Sequence, residues 1–353
     1  MALPDFGAAG QESLRAARVL CLGAGGLGCP VMLYLAAAGV GHIRIVDDDS
    51  VDLTNLHRQT LFTDADIGRP KAEVAAEKLR AVYPGITAEP HVTRFTATSA
   101  MALSDGCHVL IDGTDNFATR YLSNDTAVLR RIPNVYGAIF RYEGQTSVFA
   151  PHLGGPCYRC LFPVPPAPGT VPTCAEGGVL PVLPGLLGMI MAAETLKLIA
   201  GIGQPLTGRM LHVDTLTMQF RELKLRPDPQ CPACGENRTI TAPQEVGSSC
   251  NLPAPPAPIP QLTVAEFRAL PASATVLDIR EDWELLLLPW ARATLHIPHI
   301  QLAQRLGEIP PATPLVVVCS IGERSLEAVS LLRRSGHKNA VHLKHGLRGL
   351  DAD

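Results

Sequence analysis

The chain has no surplus of charge of one sign, no uninterrupted apolar run and no histidine pair at metal-binding spacing. Thirty basic residues stand against thirty-three acidic ones, a formal net charge of −3. That balance points to no polyanion, so no direct nucleic-acid partner is expected. The longest apolar stretch, Gly177 to Gly201, is broken by Pro181, Pro184, Glu194 and Lys197. It reads as a loop plus a buried helix rather than a membrane span. The opening MALPDFGAAGQESLRAARVL places no apolar run behind a basic tip, so no secretory leader is expected. The histidines are scattered without HxxxH spacing, and none is assigned to a metal. No segment repeats.

Cysteine, by contrast, is plentiful. Cys157 and Cys160 lie in GPCYRC, and Cys231 and Cys234 in CPAC. Two CxxC knuckles suit one tetrahedral Zn²⁺, each presenting two thiolates about 2.3 Å from the metal. The long gap between the pairs makes the site a clip between distant segments, which is a structural task. Redox-active CxxC pairs are the alternative. Thiols in a metal site and in nucleophile positions fit a reducing cytoplasm better than a disulfide framework.

Two domains are expected at 353 residues. In the first, RVLCL, GHIRIV, HVLID and IPNVYGAIF read as strands, with helices after GAGGLG and over residues 70–83. Strands alternating with helices predict an α/β class with a mostly parallel, doubly wound sheet. TITAPQEVGSSCNLPAPPAPIPQ, residues 239–261, is rich in Pro, Ala and Ser and has no period, so it reads as a linker. The expected limits are 1–238, 239–261 and 262–353. Within the last, TVLDIR, PLVVVCS and NAVHL are strands and SLEAVSLLRRSG a helix.

Gly23, Gly25 and Gly28 form GxGxxG between a strand and a helix start. Glycine lets the backbone approach phosphate, and the helix N-terminus supplies N–H donors. Asp47 ends the next strand, nineteen residues past Gly28, where it can accept from ribose hydroxyls. Taken alone the pattern fits a nicotinamide-dependent oxidoreductase, or purely structural glycines. The next segment argues otherwise. Asp49, Asn55, Arg58, Gln59 and Lys71 crowd into DDSVDLTNLHRQTLFTDADIGRPK. Hydride transfer develops little phosphate charge, whereas two cations and an Asn suit a triphosphate under attack at its α-phosphorus. Asp115 in GTDN follows a strand end and can hold Mg²⁺. Ordinary surface charge is the bland alternative for Arg58 and Lys71.

GAGGLG, DDDSVDLTNLHRQ, GRPK, GTDN, the two CxxC pairs and CAEGGVLP together resemble the ubiquitin-activating-like adenylyltransferases of the MoeB/ThiF family. The match covers about residues 3–238. Residues 262–350 resemble a rhodanese, or sulfurtransferase, domain. The implied fold is a Rossmann-like doubly wound sheet with structural zinc, plus a smaller α/β rhodanese domain. The resemblance implies ATP contacts from Gly26, Asp47, Thr54, Asn55, Leu56, His57 and Arg58. Lys71 would touch the phosphates, and Asp115, beside Asn116, would hold Mg²⁺. Cys174 sits where the family has its acceptor cysteine. The implied partners are a ubiquitin-like sulfur carrier ending in Gly-Gly, an upstream donor such as a cysteine desulfurase, and a second copy in a homodimer. Family members also carry an RYxRH-like helix ahead of LPxFG, which lends an arginine to the neighbouring subunit. This sequence starts at LPDFG. A carrier-binding scaffold with a degenerate site, or adenylation of another carboxylate, therefore stay open as rival readings.

Cys319 follows the apolar strand PLVVV and precedes a helix, in CSIGERS. Helix-terminal N–H groups and nearby Arg324 favour an anionic sulfur there. A buried cysteine closing a strand is the alternative. By resemblance this loop is the rhodanese cradle. Asp278 and Arg280 of LDIRE match that pattern in a structural capacity. LPWARATLHIP stands where the glycines of GxIxGAxxIP are usual. The expected reaction is adenylation of the carrier's C-terminal glycine, then sulfur transfer from a Cys319 persulfide.

Overall fold

Short runs of buried apolar residues ending in glycine or acid form the parallel strands. A computed structural model describes the chain apart from residues 1, 2, 4, 166–177, 246–258, 272, 311–313, 321 and 351–353. Cys174 lies outside the described residues. The chain divides into two compact units, Met1–Cys250 and Asn251–Asp353.

In the first unit, β1 (Arg18–Leu22), β2 (His42–Val46), β3 (Thr87–His91), β4 (Val109–Asp112) and β5 (Asn134–Phe140) pair in parallel. Their order is β3-β2-β1-β4-β5. Val19 to Leu22 and all of β4 are buried, which is why they read as continuous apolar runs. Three more strands continue the sheet antiparallel: β6 (Glu143–Phe149), β7 (Arg209–Asp214) and β8 (Gln219–Lys224). This half was not legible beforehand. Every residue of β8 is exposed, so no apolar alternation marks it.

The helices of this unit are α1 (Gly7–Ala16), α2 (Gly28–Ala38), α3 (Lys71–Val82), α4 (Ala100–Leu103), α5 (Phe117–Arg130), α6 (Tyr158–Leu161) and α7 (Val182–Ala200). α7 is long and apolar enough to cross a membrane. Here it packs on α2, β5 and β6 and buries Leu183, Leu187 and Met191. Gly188 makes the α2 contact possible, because a Cβ there would lie 2.5 Å from Pro30 Cγ. The buried Glu194 is not a stray charge: its carboxylate accepts from the Leu206 N–H at 2.7 Å and pairs with Lys197. Residues 239–245 lie against this unit. Ile240 is buried, and the Glu245 carboxylate accepts from the Ala97 N–H at 2.7 Å.

The second unit is a five-stranded parallel sheet. Its strands are β9 (Gln261–Leu262), β10 (Thr275–Asp278), β11 (Leu295–His296), β12 (Leu315–Val318) and β13 (Ala340–Leu343), in the order β11-β10-β12-β13-β9. α8 (Val264–Arg268), α9 (Asp282–Leu287) and α10 (Glu323–Arg334) flank it. All four residues of β12 are buried. Asp278 and Arg280 form a buried pair at 2.7 Å, and Arg280 also donates to the Leu288 carbonyl at 2.9 Å. That closes the turn after β10.

Candidate nucleotide cleft, sulfur cluster and cradled thiol

Both sheets expose their chemistry at the carboxyl ends of central strands. In the first unit β1 and β4 lie side by side while their connections run to opposite edges, the switch point where doubly wound sheets bind ligands. Gly23 leaves β1 with φ +86°. A Cβ on Gly28 would lie 1.9 Å from the Gly23 carbonyl oxygen, so only glycine lets α2 start so close to the strand. Asp47 fixes this loop. Its two oxygens accept from the Ala24 N–H at 2.7 Å and the Asp49 N–H at 2.8 Å. Burial pushes its carboxyl above the usual range, and those donors and Lys71 oppose the rise. Each oxygen keeps a lone pair for a ligand hydroxyl.

Gly26, Asp47, Arg58, Lys71, Asp115 and Asn116 line one cleft. Lys71 is buried, with Nζ 2.8 Å from the exposed Asp49 carboxylate. Asp115 is exposed, at the end of a turn that Asp112 pins by accepting from the Thr114 N–H and hydroxyl. Asn116 caps α5, its side chain accepting from the Thr119 N–H at 2.9 Å. Thr54, Asn55, Leu56 and His57 are not in the lining. They aim Arg58 instead. Its Nη2 donates to Asn55 Oδ1 at 2.5 Å and its Nη1 to the Thr54 carbonyl at 3.3 Å, while Leu56 packs into the core. His57 is exposed beside Arg58, and partial burial and that charge push it below the usual histidine range.

Two further residues line the cleft: Gln59, which the sequence already groups with Arg58 and Lys71, and Arg120, which it does not single out. Gln59 is buried, and its Oε1 has no partner in the protein. Arg120 is buried too, its guanidinium over Phe117 and Tyr136 and its Nη2 donating to the Thr114 carbonyl at 3.2 Å. The signal was its place in the first turns of a capped helix leaving GTDN. Arg120 and Asp115 also border an adjoining, more apolar cleft with Tyr136, Phe140 and Phe162.

The two CxxC pairs meet. Cys157 Sγ lies 3.5 Å from Cys231 Sγ, Cys160 Sγ 3.4 Å from Cys234 Sγ, and Cys157 and Cys160 are 3.9 Å apart. All four sulfurs fall within 4.8 Å of one another. A tetrahedron of thiolates about 2.3 Å from zinc has edges near 3.8 Å, so the set fits that metal. Cys157 and Cys160 each lie closer to a sulfur of the other pair than to one another, which disfavours the redox reading. α5 pins the cluster. Asn124 Oδ1 accepts from the Tyr158 N–H at 2.7 Å, and Arg159 donates to the buried Asp125 carboxylate at 2.7 and 2.8 Å.

Cys319 is fully buried where β12 ends. Its Sγ faces the backbone N–H of Gly322 at 3.1 Å and of Ser325 at 3.4 Å. Gly322 has φ +97°, and a Cβ there would meet the His345 nitrogen at 2.9 Å. Arg324 stands close enough to Cys319 to feel the charge of its sulfur, and it is also paired elsewhere. Arg324 is held in a two-pronged pair by Glu284, both contacts at 2.7 Å. Burial pushes Glu284 up, but Arg324, the Ser320 hydroxyl and the Glu281 N–H outweigh it and bring the carboxyl down to about 2. The cation is thus shared between Glu284 and Cys319, and backbone dipoles add to it at the anion site.

These features define a Rossmann-like α/β protein joined to a second α/β domain with a cradled cysteine. The chain belongs to the ThiF family, whose model matches residues 1–233, and residues 263–353 match the rhodanese-like domain. The "Sulfur carrier protein adenylyltransferase" of Thermus thermophilus is 50% identical over 243 residues, covering 68% of this chain and 90% of that protein. The "Probable adenylyltransferase/sulfurtransferase MoeZ" of Mycobacterium tuberculosis is 42% identical over 355 residues, covering 98% and 89%. Among solved structures, E. coli MccB with MccA-N7isoAsn superposes with a TM-score of 0.58 at 21% identity, over 64% of this chain and 69% of that one. At that identity it shows the fold alone.

Proposed function

We propose that the chain activates a ubiquitin-like sulfur-carrier protein in two stages. In the first, the carrier's C-terminal glycine carboxylate attacks the α-phosphorus of ATP, giving an acyl-adenylate and pyrophosphate. The loop at Gly26 and the start of α2 hold the phosphates, and Asp47 receives the ribose hydroxyls. Arg58, aimed by Thr54 and Asn55, and Lys71 stabilise charge on the phosphates. Asp115, beside Asn116, holds Mg²⁺, which when bound offsets phosphate charge. Cys157, Cys160, Cys231 and Cys234 hold Zn²⁺ as a structural clip.

In the second stage a persulfide on Cys319, loaded by a donor such as a cysteine desulfurase, attacks the acyl carbon and AMP leaves. The product is an acyl disulfide on Cys319; a thiol that attacks the Cys319 sulfur breaks its S–S bond, frees the carrier as a thiocarboxylate and leaves Cys319 in a disulfide that a cellular dithiol reduces. Cys174 is the thiol assigned to take the acyl group as a thioester or to resolve the acyl disulfide. The reading includes a homodimer working in the cytoplasm. It is supported by the convergence of Asp47, Arg58, Lys71 and Asp115 on one cleft, and by the activities in the relatives' names.

Two assays test it. Asp115→Ala or Arg58→Ala abolishes ATP–pyrophosphate exchange driven by a Gly-Gly-tailed carrier and leaves sulfur transfer from thiosulfate intact. Cys319→Ala keeps acyl-adenylate formation and stops thiocarboxylate production, read by mass spectrometry of the carrier's C-terminus. High free sulfide partly bypasses that loss. Loss of sulfur transfer alone from Asp115→Ala overturns the division of labour. Undiminished thiocarboxylate from Cys319→Ala at low sulfide moves the sulfur chemistry elsewhere, first to Cys174.

A further inference from the structure

Behind Cys319 lie two buried polar side chains that the two-stage reaction leaves unused. Its Sγ is 3.5 Å from the hydroxyl of Ser325, itself fully buried. The same hydroxyl is 3.5 Å from Nδ1 of His342, on β13. His342 is only 5% exposed, and its Nε2 has no partner. At rest the Ser325 hydroxyl donates to the Gly322 carbonyl at 2.9 Å.

A buried thiol that forms a thiolate must pass its proton to something. The charged groups around it are committed. Glu284 on α9 and Arg324 on α10 hold each other, and Glu284 also takes the Ser320 hydroxyl. Asp278 and Arg280, following β10, are closed on each other. Lys344, His345 and Arg348, in the segment after β13, are exposed. His299 pairs with Glu327 on α10, and His342 is the buried base among the described residues that reaches Ser325. Burial pushes it below the usual histidine range, so at neutral pH it rests neutral with one ring nitrogen unprotonated; the same burial makes it a weaker base, and the geometry alone argues for its role.

We propose that Ser325 and His342 form the proton exit of Cys319. The Ser325 hydroxyl turns from the Gly322 carbonyl toward His342. Its oxygen takes the thiol proton as its own proton passes to Nδ1. One S–H bond is broken and one N–H bond is formed, with no change of oxidation state. The thiolate left behind faces the N–H groups of Gly322 and Ser325. The relay requires His342 in the tautomer with its proton on Nε2. Both residues act through Cys319 and position its charge. The proposal rests on Cys319 being the sulfur-bearing thiol.

The test is the pH profile of Cys319 alkylation by iodoacetamide in the full chain, resolved by peptide mass spectrometry. His342→Gln and Ser325→Ala are each expected to move the midpoint upward by about one pH unit. Unmoved midpoints in both, with only the overall rate altered, reduce the two residues to packing and overturn the relay. Thermal melting checks folding. If Ser325→Ala does not fold, His342→Gln and His342→Asn decide, an upward midpoint supporting the relay and an unmoved one overturning it. Failure of the functional reading shows separately, as thiocarboxylate still made by Cys319→Ala.

Discussion

In the first unit four sulfurs from two distant segments press together, with neighbours 3.4 to 3.9 Å apart. In the second a single sulfur sits alone, wrapped by two backbone N–H groups. One guanidinium at each site is held by a carboxylate. Arg159, in the knuckle, is committed to Asp125, and Arg324, in the cradle, to Glu284. On the proposed reading, four thiolates held together need a metal to offset their charge, whereas one anion can be held by peptide dipoles and a neighbouring guanidinium. The first site would then depend on a metal, and the second on the loop keeping its shape.

The sharpest way to break this contrast is to remove the metal. We expect one Zn²⁺ per chain on metal analysis of purified protein. Cys231→Ser should release it and unfold the first unit, since such sites contribute apparent folding free energies of about 10–16 kcal/mol. Alkylation of Cys319 should be indifferent to a chelator. A metal-free protein with a fully folded first unit would refute the idea. Smaller but still large is Asp125→Ala, which strands Arg159 without its buried partner. The expected cost is about 3–5 kcal/mol, read from urea unfolding of the first unit. A cost near zero would mean that α5 does not hold the knuckle.

The smallest effect belongs to the cradle and depends on pH. Glu284 is held near 2 in the fold, against about 4.3 for a free glutamate. A depressed carboxyl contributes stability that is fully present above the unfolded value. That contribution is lost as pH falls from about 4.3 through about 2. Glu284→Gln should remove on the order of 2 kcal/mol from the second unit at neutral pH, and little below that window. Acid melting curves of the two proteins should converge. Parallel curves down to the lowest pH would place the stabilisation elsewhere.

What sequence revealed follows from the range of the interactions. The parallel strands, the Gly23–Gly28 turn and the CxxC knuckles are local patterns with local causes, and each was readable. Asp47 and Asp115 follow strand ends, which in such sheets face one way, and they line one cleft with Lys71, which opens α3. Three things were hidden. β8 buries nothing, so its composition carries no period. The partner of Arg324 lies forty residues back at Glu284, and no spacing rule links them. Thr54 and Asn55 keep their place in the motif but hold Arg58, and Leu56 packs into the core, so none of the three lines the cleft, a distinction that only side-chain direction makes.

α5 joins two of these places. It starts beside Asp115, presents Arg120 to the cleft, and grips the CYRC knuckle through Asn124 and Asp125. At 1.5 Å per residue, Arg120 and Asp125 are about 7.5 Å apart along its axis. So short a helical span behaves as a gauge rod, and slack at the knuckle becomes displacement at the mouth of the cleft. Loss of the metal would then disorder the mouth of the cleft together with the knuckle, and ATP handling would fail as the first unit comes apart.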